Sequence, residues 1–291
     1  MTEFKILGPG DEEALEAFLV QHADSSMFLR ANLRASGPAG GEIDHATYAA
    51  ALEGDAILAV AAHSRMGNLV LQAPVHLPKI ARVAVARSGG QVTGIIGPWG
   101  QVVAARDALD LGRTPTALNS HEILYALELS NLVIPPGLAG GRVRCRHPRS
   151  DELGLLVDWR IAYDRETLSD SGDPVVCRRK VEQLHAEGCD FVLVTEADEP
   201  VAFSAFNAVL PEAVQIGGVW TPVAQRRRGF ARAVVAGSLL EARGQGARRG
   251  VLFTAEENWP AQRAYEALGF RPVGDYGLVS FTEPQMVSLA P

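Results

Sequence analysis

The stretch VQIGGVWTPVAQRRRGFA, residues 214–231, joins an apolar run to a proline and three consecutive arginines. Its first seven residues, 214–220, predict a short strand that Pro222 ends. The apolar residues after Gly229 recur at helical spacing and stop at Gly244. The segment therefore predicts a strand, a tight loop and a helix, in that order.

The predicted loop has the features of a diphosphate-binding site. The first N–H groups of a helix have no partner within the helix, and the helix dipole adds partial positive charge there. Gly229 and Ala231 have little or no side chain, so an anion can approach the backbone around Phe230. The loop also contains three guanidinium groups, which match phosphate oxygens. They belong to Arg226, Arg227 and Arg228. The sequence does not rank them, and a solvated basic turn is the alternative.

Two motifs in the second half of the chain are shared with a known family. Arg226–Ala231 fits R-x-x-G-x-A after V-x-T-P, and this resembles the acyl-CoA pyrophosphate loop of the GNAT superfamily of N-acetyltransferases. Asn258-Trp259-Pro260, followed by Tyr265 and by Gly269-Phe270, is similar to a second signature of that family. A single six-position pattern is weak evidence for a family, because it occurs often by chance. The two motifs together, in this order and at this distance, are specific evidence. The resemblance covers roughly residues 140 to 285.

The resemblance implies a role for each matched residue. The backbone groups of Val219 and Thr221 would bind the pantetheine arm of acetyl-CoA as an added strand would, and one N–H would polarise the thioester carbonyl. The phenol of Tyr265, neutral at pH 7, would donate a proton to the departing CoA thiolate. Asn258 would contact the cofactor, cap its helix, or do both. The alternative for Val219 and Thr221 is that they are ordinary sheet residues that bind no ligand. The alternative for Tyr265 is that its ring packs into the core.

The sequence does not identify a general base. Residues 214–220 contain no acidic residue, although many members of the family have a carboxylate on this strand. Glu256 and Glu257 follow the next predicted strand, but exposed acids beside a turn are common. A water chain is the alternative route for the proton. Cys177 and Cys189 lie outside both motifs, so we predict direct attack in a ternary complex without an acyl-enzyme.

Composition argues against nucleic-acid-binding, secreted and membrane-spanning proteins. The net charge of −7 and the pI near 5.5 argue against a nucleic-acid partner, which would require a basic face. Acidic residues near the start and the absence of an apolar run of roughly 18 residues argue against a signal peptide and a membrane span. Three cysteines without metal-type spacing suggest reduced thiols and no metal site. We expect a cytoplasmic monomer or homodimer.

The order of predicted elements suggests a duplication. Each half reads as strand, two helices, three strands, helix and strand, which predicts an α/β fold with a mixed sheet flanked by helices in each half. We place the halves at 1–138 and 139–291, divided near the glycines and prolines of residues 135–141. Residues 97–101, GPWGQ, are predicted to occupy the loop position in the first half. They lack arginine and contain bulky Trp99, so this half resembles the degenerate copy of a tandem GNAT subgroup.

These observations together predict an N-acyltransferase that moves an acetyl group from acetyl-CoA to a primary amine of a small molecule or protein. The acceptor pocket is expected at helices predicted over 151–168 and 174–187, and a contribution of the first half stays open. One alternative is a non-catalytic acyl-CoA-binding or sensing protein with a decayed site. Another is a P-loop nucleotide-binding protein, which is disfavoured because the loop lacks G-K-[ST].

Overall fold

The computed structural model describes residues 1–38, 46–167 and 172–287. The chain forms two compact units, one of residues 1–124 with the segment from Gly274 onward, the other of residues 125–273. These units differ from the predicted halves, 1–138 and 139–291, because the last strand joins the first unit and residues 125–138 join the second. Among the helices formed by described residues, none combines the length and apolar character that a membrane crossing requires.

The first unit is a mixed sheet with helices on both faces. Its elements are β1 (Glu3–Ile6), α1 (Glu12–Val20), α2 (Met27–Ser36), β2 (Ala46–Glu53), β3 (Ala56–Ser64), β4 (Asn68–Gln72), α3 (Leu77–Ser88), β5 (Val92–Pro98), α4 (Trp99–Ala108) and β6 (Thr116–Glu128). Strands β1 to β4 pair antiparallel in sequence order, and β4 pairs parallel with β5. The final strand β12 (Arg271–Gln285) pairs antiparallel with β5 through Tyr276–Ser280.

Strand β2 shows how the sheet of the first unit separates two cores. Ala49 and Ala51 face a cluster that includes α3 and α4, whereas Tyr48 and Ala50 face a cluster that includes α1 and α2. Successive side chains of a strand point to opposite faces, so β2 is buried on both sides. This explains why its sequence, ATYAAALE, does not show the alternation of a half-exposed strand.

The prediction for residues 97–101 is wrong. Strand β2 and helix α3 are not predicted from the sequence, and both belong to the repeated order of elements. With them in place, the loop position of the first unit lies at residues 73–76, between β4 and α3. Strand β5 continues directly into α4 at Trp99. Residues 73–76, APVH, contain neither glycine nor arginine, so the first unit lacks the phosphate-binding features at this position as well.

After one additional short helix, the second unit repeats the order of the first nine elements of the first unit, β1 to α4. Its elements are α5 (Pro136–Ala139), β7 (Val143–Arg146), α6 (Leu153–Thr167), α7 (Pro174–Ala186), β8 (Asp190–Thr195), β9 (Pro200–Val209), β10 (Ala213–Trp220), α8 (Phe230–Gly244), β11 (Arg249–Ala255) and α9 (Trp259–Glu266). Strands β7 to β10 pair antiparallel with their neighbours, and β10 pairs parallel with β11. The predicted helices at 151–168 and 174–187 are confirmed, although Leu168 lies outside the described residues.

Helices α6 and α7 cover one face of the second sheet. Their buried side chains form a cluster with residues of β8, β9 and β10, including Phe203 and Trp220. Helix α7 starts at Pro174, where a missing N–H is harmless. The side chain of Asp173 caps this helix by accepting the N–H groups of Val175 and Val176, at 2.8 and 3.1 Å.

Helix α8 approaches strand β7 at Gly237. A Cβ atom added at Gly237 would lie 2.2 Å from Cβ of Cys145, so the backbones must move apart to admit alanine. We expect Gly237→Ala to lower the free energy of unfolding by about 1–3 kcal/mol through overpacking. Gly244→Ala, at the end of the same helix with no atom within 4 Å of the added Cβ, is the matched control. Urea unfolding of both variants tests this. An equal stability of the two would contradict the close packing of α8 on β7.

Candidate active site

The segment after β10 forms a tight loop whose end opens helix α8. After Pro222 one 3₁₀ turn, Val223–Gln225, carries the chain away from the strand. Arg227 and Gly229 then adopt left-handed backbone angles, with φ of 61° and 80°, and the helix begins at Phe230. Glycine adopts this conformation without steric cost, which accounts for Gly229 at the N-cap position.

The start of helix α8 leaves several backbone donors without a partner. The first helical hydrogen bond runs from the N–H of Ala233 to the carbonyl of Gly229, at 3.1 Å. Within the described residues, the N–H groups of positions 229–232 donate to no backbone or side-chain acceptor. Consecutive free N–H groups at a helix N-terminus attract an anion, and the helix dipole adds to the attraction. The geometry suits one diphosphate group.

The three arginines of the loop have different surroundings. Arg226 is held inward, since its Nη2 lies 2.8 Å from Glu166 and its Nε donates to the carbonyl of Thr221 at 3.1 Å. Its guanidinium also lies 4.9 Å from the ring centroid of Trp220. Arg226 therefore fixes the loop against α6 and β10. Glu166 had no signal in the sequence, because it lies 60 positions from Arg226.

Arg228 and Arg227 are more exposed than Arg226. Arg228 donates to Gln225 at 2.6 Å and lies 4.7 Å from the ring centroid of Phe230. Arg227 is exposed and has no partner in the part of the chain that the structure describes. The side chain of Phe230 is buried, so this residue offers only its backbone to a ligand. These surroundings distinguish three arginines that the sequence could not rank.

Strands β10 and β11 separate just before the loop. Their parallel pairing ends at Gln215 with Val251, although β11 continues to Ala255. The pairing of β10 with β9 is irregular between Gly217 and Trp220, where a bulge places Gly218 at φ 60°. Val219 and Thr221 thus lie beside an opening between two strands, where backbone groups of β10 are free for a ligand that pairs as a strand does.

The second motif lies at the same edge of the sheet. Strands β10 and β11 run parallel, so the loop after β10 and helix α9 after β11 both begin at their carboxyl ends. Asn258 caps α9, since its side chain accepts the N–H of Ala261 at 3.2 Å. Tyr265 is half-buried, with its ring edge-on to Phe270 at 6.1 Å between centroids. The tyrosine is therefore not enclosed in the core.

Among the residues that the structure describes, the acids near the loop and two of the three thiols do not have the surroundings of a general base or a nucleophile. Glu256 and Glu257 are exposed after β11, and Glu166 is paired with Arg226. Burial raises the pKa of Cys145 to about 12 and also raises the pKa of Cys189, so both thiols are protonated at neutral pH. The described residues contain no cluster of three or more His, Cys, Asp or Glu side chains placed to hold a metal ion.

A small apolar pocket lies between helices α6 and α7 and the bulged end of β10. The space that it encloses is about 10 Å³, roughly the room of one water molecule. Seven of its lining residues are aliphatic or aromatic: Leu156, Trp159, Tyr163, Val181, Leu184, Phe203 and Trp220. Gly218 of the bulge also lines it. An acceptor pocket is expected at these helices from the sequence, but its residues could not be identified there, because neither helix has a marked apolar stripe.

Comparison with known proteins identifies the family of this region. Residues 155–270 match the family model described as Acetyltransferase (GNAT) family. The match includes the bulged strand, the loop, both helices after it and Tyr265. No curated protein matches this chain in sequence.

Solved structures share the fold along nearly the whole chain. A Drosophila protein aligns with a TM-score of 0.67 at 11% identity, over 96% of this chain and 98% of its own. A GCN5-related N-acetyltransferase from Sphaerobacter thermophilus aligns with a TM-score of 0.57 at 15% identity, over 98% and 97%. A tandem GNAT protein from the clavulanic acid biosynthesis pathway aligns at 0.54 and 12% identity, over 98% and 100%. At these identities the similarity concerns the fold.

Proposed function

We propose that the second unit, whose residues 155–270 match the GNAT family of acetyltransferases, transfers an acyl group from acyl-CoA to a primary amine. Acetyl-CoA is the reference donor, and the acceptor is a small molecule or a protein amino group. The observation that carries this proposal is the row of free N–H groups at 229–232 beside the opening between β10 and β11.

The binding roles follow from the order of these features along the chain. The N–H groups of residues 229–232, with Arg227 and Arg228 nearby, would hold the diphosphate of CoA. The free edge of β10 at Val219 and Thr221 would pair with the amides of pantetheine. An N–H at the bulge would polarise the thioester carbonyl. The residues present therefore suit the diphosphate, the pantetheine amides and the thioester carbonyl of the donor.

In the proposed reaction the chain orients the two reactants, polarises the thioester carbonyl and transfers protons. The amine nitrogen forms a bond to the thioester carbon while the bond from carbon to sulfur breaks. The hydroxyl of Tyr265 gives its proton to the departing sulfur, the amine gives up one proton to water, and a proton from water then restores the hydroxyl of Tyr265. The proposed route uses no acyl-enzyme, and burial, which raises the pKa of Cys145 and of Cys189, makes these two thiols poor nucleophiles.

Calorimetry on the full chain tests donor binding. Acetyl-CoA is expected to bind with one site per chain, because residues 73–76 of the first unit lack both glycine and arginine. ATP at the same concentration is expected to give much weaker binding, since the loop lacks the lysine of a P-loop. Binding of ATP in preference to acetyl-CoA would support the nucleotide-binding alternative and overturn the proposal.

Thiol release in the presence of a panel of amines tests catalysis. Release of free CoA that depends on both acetyl-CoA and an amine is the expected result. The alternative of a non-catalytic acyl-CoA-binding protein has one observation in its favour, the absence of an acidic residue from β10. Tight binding of acetyl-CoA with no release for any amine would decide for that alternative.

A further inference from the structure

We propose that Asn207 of strand β9 contacts the amine acceptor and orients it toward the thioester, a role that rests on the function proposed above. The carboxamide oxygen of Asn207 would accept an N–H of the amine, while the lone pair of the amine nitrogen points to the thioester carbon. The acceptor is then bound as a neutral primary amine beside an uncharged group. Three observations support this: an unpaired position in β9, a glycine beneath it in β10, and the lack of an acid on β10.

Asn207 is the extra residue of a bulge in β9. Phe206 and Ala208 pair with two successive residues of β10, so Asn207 between them has no partner on that strand. A bulge re-aims a side chain and is common beside active sites. The bulge of β10, which contains Gly218, follows a few residues further along the same pair of strands. Two irregularities therefore meet at the candidate site, and one of them redirects Asn207.

The side chain of Asn207 lies on the backbone of β10 at Gly217. A Cβ atom added at Gly217 would overlap Nδ2 of Asn207 and lie 2.8 Å from its Oδ1, so glycine leaves the room that the carboxamide occupies. Gly217 lies beyond Gln215, where the pairing of β10 with β11 ends, and directly precedes Gly218. The carboxamide is therefore held next to the opening where the thioester carbonyl would be polarised.

Asn207 lies on the face of the sheet opposite helix α8. Gly217 pairs with Ala205, which belongs to the core cluster beneath helices α6 and α7. Ile216, the preceding residue of β10, points to the other face, because its side chain and that of Leu239 in α8 border the same space beside β11. A donor whose diphosphate is held at the start of α8 thus leaves the face of Asn207 to the acceptor.

The carboxamide of Asn207 is available to a ligand. The residue is exposed, and within the described ranges 1–38, 46–167 and 172–287 its side chain has no hydrogen-bond partner. The oxygen of a carboxamide accepts hydrogen bonds, and its nitrogen donates them. An amine nitrogen that carries hydrogen atoms can therefore replace water at this group without breaking a contact within the protein.

An uncharged group suits the attack of an amine on a thioester. A carboxylate beside the amine would favour its charged form, and an ammonium group has no lone pair with which to attack. Strand β10 contains neither Asp nor Glu, and Asn207 orients the amine without adding a negative charge. The neutral amine can then attack and give up its proton to water. The absence of an acid from β10 is consistent with catalysis by this route.

Asn207→Ala tests the contact with the acceptor. Thiol release is measured on the full chain with acetyl-CoA and whichever of butylamine, ethanolamine, spermidine and a peptide with one lysine reacts fastest. The variant is expected to lower kcat/KM for that amine by about tenfold or more, because one hydrogen bond to the reacting nitrogen is lost. The affinity for acetyl-CoA, measured by calorimetry, is expected to stay within about twofold.

Asn131→Ala is the matched control, at another exposed asparagine of the same unit. It follows Leu129, whose N–H donates to the carbonyl of Arg248 just before β11, and so it lies away from the carboxyl ends of the strands. This control is expected to change neither quantity. If Asn207→Ala and Asn131→Ala gave the same kcat/KM, the inference would be overturned and the proposed function would stand. If the unaltered chain released no thiol with any of the four amines, both would be removed.

Gly217→Ala provides a second measurement, because its Cβ displaces the carboxamide. Alone it is expected to lower kcat/KM for the amine about as much as Asn207→Ala does. In the double variant it is expected to add no further loss, since the side chain that it displaces is already absent. A full additional loss in the double variant would show that the two positions act independently and would overturn the inference. Should Gly217→Ala fail to fold, Asn207→Ala and its control decide.

Discussion

Ala231→Asp is expected to weaken the binding of acetyl-CoA by at least about 100-fold while the protein remains folded. Ala231 is the second residue of α8 and lies among the free N–H groups of positions 229–232. A carboxylate there competes for these donors and repels the diphosphate. The same carboxylate interacts favourably with the helix dipole, by about 0.3–1 kcal/mol, so the helix itself is not weakened. Calorimetry gives the affinity, and thermal unfolding gives the stability.

A matched control distinguishes a loss of affinity caused by a carboxylate in the binding loop from one caused by the added negative charge in general. Val175 is also the second residue of a helix, α7, in the same unit, and its side chain is exposed. Val175→Asp therefore introduces the same charge at the same helical position away from the loop, and it is expected to leave the affinity for acetyl-CoA within about twofold. If Ala231→Asp bound acetyl-CoA as tightly as Val175→Asp does, the diphosphate would not lie on α8.

The segment from β10 to α8 could be predicted because its signals are local. Pro222 marks the end of the strand, Gly229 supplies the left-handed residue before the helix, and the apolar residues of α8 recur at helical spacing. Each signal acts within a few residues of its position. The same applies to α9, where Asn258 caps the helix. The order of elements in the second half followed from such signals, and the motifs in that half carried the resemblance to the GNAT fold.

The elements that were missed depend on distant parts of the chain. Strand β2 contains four alanines in eight residues, and alanine has a low preference for strands. It is nevertheless a strand, because β1 and β3 pair with it on both sides. Its omission, with that of α3, shifted the predicted loop of the first unit to residues 97–101. Pairing with two neighbouring strands therefore outweighed the low strand preference of its alanines.

The finer features of the candidate site also arise from long-range contacts. The inward position of Arg226 depends on Glu166 of another helix, and the opening beside Val219 depends on where the pairing of β10 with β11 ends. No motif in the sequence encodes either one. The apolar pocket is likewise assembled from α6, α7, β9 and β10. The sequence motifs therefore located the site, while its shape required the fold.

Tyr265→Phe is expected to lower kcat by about 100-fold or more and to change the affinity for CoA by less than about twofold. The reason is that the hydroxyl of Tyr265 acts on the departing thiolate, which exists only during the reaction, whereas the donor is held by the loop and the edge of β10. The ring itself, edge-on to Phe270, is retained by phenylalanine, so packing is preserved. Single-turnover thiol release and calorimetry measure the two quantities separately.

Tyr48→Phe in the first unit is the control for losing a tyrosine hydroxyl. That hydroxyl is buried and donates to the carbonyl of Leu29 at 3.4 Å, and nothing in the proposed reaction uses it. The control is expected to affect stability alone and to leave kcat unchanged. An unchanged kcat in Tyr265→Phe would mean that Tyr265 only packs on Phe270, and water would then have to protonate the thiolate. A loss of CoA affinity equal to the loss of kcat would instead make Tyr265 a binding residue. The two measurements thus separate proton donation, packing and binding at one position.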